Sequence, residues 1–197
     1  MMNERIRKAA EILRNGGVLL LPTETVYGLI CDSENPVARQ KIYEMKHRSG
    51  NKPLGIFVPD IDCAEKLCGL PLPCPAKKLA EAFMPGPLTL IVPDSRGTTF
   101  GFRIPDHPFL TALLKHYGKA LAQTSANLSG EPPALSVEQA LASLAIPPDF
   151  IEDGGILPEN SQASTVVSVG SDRSVKILRE GVLKEAEIMT IVNHSEN

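Results

Sequence analysis

The chain has 197 residues, 43% hydrophobic and 22% charged, with a net charge of −3, the composition of an ordinary globular protein. That length suits one large domain or two small ones, and the acidic balance excludes a global basic field that would draw the chain to nucleic acid. The four cysteines, at 31, 63, 68 and 74, lack C-x-x-C spacing and a nearby histidine, so no zinc set is expected and they read as reduced, mostly buried thiols.

Ile6, Ala9, Ala10 and Leu13 follow helical spacing, and Gly16-Gly17 stops the helix. Val18 to Leu21 is a continuous apolar run of strand length, and Val26 to Cys31 predicts a second strand. Pro36 opens a helix whose stripe of Val37, Ile42 and Met45 leads to Lys46. Leu54 to Val58 reads as a short strand, and Asp60 or Asp62 caps a helix ending near Gly69. The stretch 70–75 is proline-rich and irregular, and Lys77 to Phe83 is helical. Pro85-Gly86-Pro87 breaks the chain before strands at Leu88 to Val92 and Phe100 to Ile104. A helix follows from Asp106 or His107 to about His116. Ala120 to Gln123 is a strand running into Thr124-Ser-Ala-Asn-Leu-Ser-Gly130. Ser136 with Gln139 forms a capping box for a helix through Ala145. After a loop at Asp153-Gly-Gly155, strands are expected at Thr165 to Val169 and Val175 to Leu178, with a weakly helical tail. Strands alternate with helices, so the class is α/β, read as one domain over 1–197. No apolar run reaches membrane-spanning length, and the charged start is unlike a signal peptide, so the expected compartment is the cytoplasm.

Polar groups collect where these strands end. Thr23, Glu24, Thr25 and Tyr27 follow the first strand, a pattern that fits a ligand site at the edge of a sheet or a hydroxyl-rich turn. Lys46 and Arg48, two apart in an extended segment with Lys52 just beyond, either converge on one anion or form a solvated basic patch at a helix C-terminus. Lys46 is expected at the surface on both readings. Ser125 and Asn127, directly after a strand, offer a hydroxyl and an amide to one ligand or build an ordinary turn. Arg103 lies in an apolar strand and demands a carboxylate or an anionic ligand; Arg179 ends the run Val175 to Leu178 in the same way. Together these suit a polyanionic ligand. Neither a G-x-x-x-x-G-K-[ST] loop nor a G-x-G-x-x-G turn is present, so a bound nucleotide would be held by Lys, Arg and hydroxyls.

In order, Pro22-Thr-Glu-Thr-Val-Tyr-Gly28, Lys46-His-Arg48 with Lys52-Pro-Leu54, Pro85-Gly-Pro-Leu-Thr89, Arg103-Ile-Pro-Asp-His107, Thr124-Ser-Ala-Asn127, Ser164-Thr-Val-Val167 and Ile177-Leu-Arg-Glu-Gly181 resemble the YrdC/Sua5 family of threonylcarbamoyl-AMP synthases, over roughly residues 8–183. The resemblance implies a single YrdC-like domain, a twisted mixed sheet flanked by helices around a large concave site. It implies that L-threonine, bicarbonate and ATP are joined into L-threonylcarbamoyl-AMP and pyrophosphate, for t6A at position 37 of tRNA, with a downstream t6A transferase machinery and a weak tRNA contact as partners and no membrane. By resemblance Lys46, Arg48, Lys52, Ser125, Asn127 and Arg179 hold ATP, with Lys46 and Arg48 catalytic. Thr25, Arg103 and Ser164 hold threonine, Arg103 pairing with its carboxylate. Magnesium is expected on the nucleotide's phosphates rather than in a protein metal set.

Three departures from the pattern stand out. Ser49 replaces the usual proline after Lys-x-Arg, and Phe57 stands where longer relatives have a histidine near threonine. The chain is also expected to be the short form, without the extra C-terminal domain. Three other readings compete: an RNA-binding module, a carbamoyl-adenylate-forming domain like that of hydrogenase maturation, and the sister YciO group. Thr124-Ser-Ala-Asn127 favours the synthase over the last.

Overall fold

A computed structural model describes residues 2–47 and 53–193. The chain runs α1 (Met2–Arg14), β1 (Leu19–Leu21), β2 (Gly28–Asp32), α2 (Pro36–Met45), β3 (Gly55–Phe57), α3 (Ile61–Cys68) and α4 (Cys74–Phe83). It continues β4 (Leu88–Pro93), β5 (Thr99–Arg103), α5 (Pro108–Tyr117), β6 (Leu121–Ser125), α6 (Val137–Ser143), β7 (Phe150–Ile151), β8 (Thr165–Val169), β9 (Val175–Arg179) and α7 (Glu185–Asn193). The strands form one mixed sheet in the order β7-β1-β2-β6-β3-β5-β4-β8-β9. Pairs β1·β7, β3·β5 and β4·β8 are parallel and the rest antiparallel. The expected α/β class with a mixed, helix-flanked sheet is found. No helix among the described residues is long and apolar enough to cross a membrane.

Local chemistry explains most boundaries. Asn35 caps α2 by accepting from the amides of Val37 and Ala38, with Pro36 at the first helical turn. Asp60, the first of the two predicted caps, accepts from the Cys63 amide at 2.8 Å, and Gly69 closes α3 with φ 71°, a conformation that penalises any side chain. Ser136 caps α6 through the Gln139 amide, but Gln139 returns its side chain to Leu135 N rather than to Ser136, so the box is not reciprocal. That helix also ends at Ser143, short of Ala145. α4 starts at Cys74, earlier than predicted, and β7 has too short an apolar pattern to be read from sequence. Of the cysteines only Cys31 and Cys68 are buried, and Cys74 is exposed.

Three apolar clusters fix the layers. Alternating residues of β1, β2, β3 and β6 send Leu19, Leu21, Ile30, Phe57 and Leu121 against α1 and α5. Their neighbours Leu20, Leu29, Cys31 and Ala122 face Ala38, Ile42 and Met45 of α2. The other half of the sheet buries Leu88, Leu90, Phe102, Val167 and Val169 against α3, α4 and α7. Its opposite face carries Thr89, Ile91, Gly101, Arg103 and Val166 and is left to line a cavity. Replacing Asp60 with alanine should lower unfolding free energy by about 1 kcal/mol with the fold intact, read as a shifted urea midpoint at constant slope.

Candidate functional site

The cavity has a volume of about 750 Å³ and is walled by the loop after β1, the ends of β3, β5 and β6, and strands β4, β8 and β9. That is room for a nucleotide with a small second molecule. Of the predicted site residues, Thr25, Arg103, Ser125, Asn127, Ser164 and Arg179 line it. Arg48 and Lys52 lie outside the described residues.

Thr25 is placed by its own turn. The Thr23 hydroxyl donates to Val26 O at 2.7 Å and accepts from the amides of Thr25 and Val26, so the proline-initiated loop folds back over the strand end. Thr23 and Thr25 share a hydroxyl contact of 2.8 Å. Tyr27, which sequence grouped with these polar residues, serves a structural bond instead: its hydroxyl donates to Gly155 O at 2.7 Å and accepts from Gly154 N.

Arg103 closes β5 and is 3% exposed. Its Nε donates to Glu24 Oε1 at 3.1 Å, and Nη1 and Nη2 donate to the Thr25 hydroxyl at 3.2 and 3.1 Å. Nη2 is also in ion-pair contact with Glu24 Oε1. The sequence requirement for a carboxylate is therefore met from within the chain, by a residue 79 positions earlier. Phe57 lies with its ring centroid 5.5 Å from the guanidinium carbon, so its ring supports the arginine by a cation–π contact.

Opposite, Ser164 exchanges a 2.8 Å hydroxyl contact with Thr89, and Arg179 donates to Ser164 O at 2.9 Å. Burial of its guanidinium and the nearby charge of Arg103 hold the Arg179 pKa below its ordinary value. Two guanidiniums thus stand on this wall, with the Glu24 carboxylate paired to Arg103, an arrangement that attracts an anion. Gly55 lets β3 pass under Gln123, since a Cβ there would stand 2.6 Å from Gln123 Nε2.

Lys46 corrects the sequence reading. It is the C-cap of α2 with φ −100° and ψ −1°, not part of an extended segment. At 1% exposure it is not a surface lysine either. Its ammonium donates to the backbone carbonyls of Ser125 and Asn127, and its own carbonyl accepts from Ser129 N at 3.4 Å. β6 also extends through Ser125, two residues past the predicted end. Lys46 and the Ser-x-Asn segment are therefore stitched together by the protein itself. Asn127 turns its amide nitrogen to Leu128 O and Glu131 O, leaving Oδ1 buried without a partner among the described residues. Sequence missed Glu24 as the partner of Arg103, Thr89 beside Ser164, and Gln123. Glu24 carried a signal inside the polar cluster and Thr89 one at the end of Pro85-Gly-Pro-Leu-Thr89; Gln123 carried none. No three His, Cys, Asp or Glu side chains gather to hold a metal ion among the described residues.

The family described as "Telomere recombination", Sua5/YciO/YrdC, matches residues 11–181. A threonylcarbamoyl-AMP synthase of Bacillus subtilis is 40% identical over 191 residues, covering 92% of this chain and 55% of the relative. The structure of P. abyssi Sua5 complexed with L-threonine superposes with a TM-score of 0.84 at 32% identity, covering 95% of this chain and 57% of that one. E. coli YciO gives 0.80 at 26% identity, with 95% and 94% covered. The chain thus spans just over half the length of the first two.

Lys46→Met should strip the ammonium from both carbonyls, leaving Ser125 O with the Asn127 amide alone, and cost about 1–3 kcal/mol of stability. Amide exchange across 125–129 should accelerate with no nucleotide added. Unchanged exchange would show that the ammonium does not hold this segment.

Proposed function

The chain belongs to the Sua5/YciO/YrdC family, and we propose that it is an L-threonylcarbamoyladenylate synthase: it joins L-threonine, bicarbonate and ATP into threonylcarbamoyl-AMP and pyrophosphate. The observation that carries this reading is the pairing, in one cavity, of a guanidinium–hydroxyl wall with a strand-end Ser-x-Asn segment. Threonine in the P. abyssi protein supports the amino acid as one substrate.

In this reading Thr25, Arg103 and Ser164 hold threonine, and Ser125, Asn127 and Arg179 hold ATP together with Arg48 and Lys52. Lys46 serves the nucleotide by keeping Ser125 and Asn127 in place. Threonine's amine first takes up carbon from bicarbonate with loss of water. A carbamate oxygen then attacks the α-phosphorus, and the α–β bridging oxygen departs with pyrophosphate. Charge accumulates at one phosphoryl centre, so positioned cations and hydrogen-bond donors supply the catalysis without a protein nucleophile. Magnesium suits the nucleotide's phosphates better than the protein, given the lack of a carboxylate cluster among the described residues. The product would feed t6A formation on tRNA through a separate transferase, in the cytoplasm. The likeness to E. coli YciO favours a second reading, a different activity on the same family fold, which the same assay separates.

Pyrophosphate release should require ATP, threonine and bicarbonate together. Turnover that persists with both threonine and bicarbonate omitted would identify an ATPase instead. Arg103→Ala should raise the half-saturating threonine concentration far more than that of ATP, by a factor equivalent to about 1.5–3 kcal/mol. Equal effects on both substrates would remove Arg103 from the amino-acid subsite.

A further inference from the structure

An arginine recognises a carboxylate through one of two flat edges of its guanidinium, each presenting a pair of N–H donors. On Arg103 both edges are taken. The Nε/Nη2 edge faces Glu24 Oε1, and the Nη1/Nη2 edge faces the Thr25 hydroxyl. A substrate carboxylate can pair with this arginine in two-point fashion only by replacing one of them.

The two occupants are not held alike. Thr25 is fixed in its turn, its amide bonded to Thr23 Oγ1 at 3.1 Å and its hydroxyl 2.8 Å from the same atom. Glu24 is held at the arginine by one oxygen, while Oε2 is buried with no hydrogen-bond partner. A half-satisfied carboxylate is the cheaper one to move, and exchanging one anion for another keeps the buried guanidinium neutralised. A second unsatisfied group stands nearby: His107, the residue before α5, has a buried Nδ1 that also lacks a partner, burial holding its imidazole pKa below the ordinary value against the opposing charge of Glu24.

We propose that Glu24 is an internal competitor for the amino-acid carboxylate: it occupies the carboxylate-binding edge of Arg103, yields it when the substrate arrives, and so sets the affinity of the subsite. The inference rests on the reading of Arg103 as the threonine-carboxylate residue. Binding of substrate and the Glu24–Arg103 pair are then negatively coupled, and weakening one must strengthen the other.

The sign of one substitution separates this from a structural role. Calorimetric titration of L-threonine into the wild type comes first, and no binding there would overturn the substrate reading itself. Given binding, Glu24→Gln keeps the shape and an acceptor for Nε but removes the competing charge, and should bind threonine about five-fold tighter or more. If Glu24 only props Arg103 in position, the variant binds threonine more weakly or equally, which would overturn the proposal. Should Glu24→Gln not fold, a crystal structure of the wild type with threonine decides. Glu24 is expected off the Nε/Nη2 edge with the substrate carboxylate in its place. Glu24 still paired there beside bound threonine would refute it.

Discussion

A charge buried without its partner costs more than the fold can spare, and this constraint organises the whole site. Lys46 and Arg103 are both almost fully buried, and each draws together segments far apart in sequence. The ammonium of Lys46 requires acceptors and takes two carbonyls from the end of β6, so α2 and the 125–129 segment cannot separate without stranding a charge. The guanidinium of Arg103 requires an anion and hydroxyls and takes them from the loop after β1. Arg103 itself and the Ser125 and Asn127 that Lys46 holds all line the cavity.

Much of this fold could be read from the sequence because its signals are local. Asp60, Gly69 and Pro36 act within a turn of themselves, so a cap or breaker marks the element's end wherever the chain later goes. The alternation in β8 and the continuous apolar run of β1 likewise report burial directly. Arg103 announced its need for a counter-charge by standing in an apolar strand. What sequence could not supply was the partner's identity. Glu24 is 79 residues away and sits in a cluster whose hydroxyls drew attention first.

Lys46 shows the opposite limit. A lysine ending a helix beside a histidine and an arginine has every local mark of a solvated residue. Its burial comes from the return of β6 alongside α2, a tertiary event with no trace within ten residues of it. The extension of β6 through Ser125 was hidden for a related reason: polar residues at a strand's end look like loop, and only pairing with Gly28 across the ladder makes Ser125 part of the sheet. At Phe57 an aromatic ring gives the guanidinium a contact that does not change with pH.

The three residues of β3 have a mechanical meaning. Among the described residues, β3 alone of the nine strands joins the half-sheet packed on α1, α2 and α5 to the half packed on α3, α4 and α7, through three paired positions on one side and two on the other. A plate with so narrow a waist bends most easily there. The salt bridge and hydroxyl bonds of Arg103 cross that waist, from β5 on one half to the loop after β1 on the other, and act as a clasp at the point where the sheet offers least resistance. Whatever occupies that arginine therefore also sets how firmly the two halves are held at one angle.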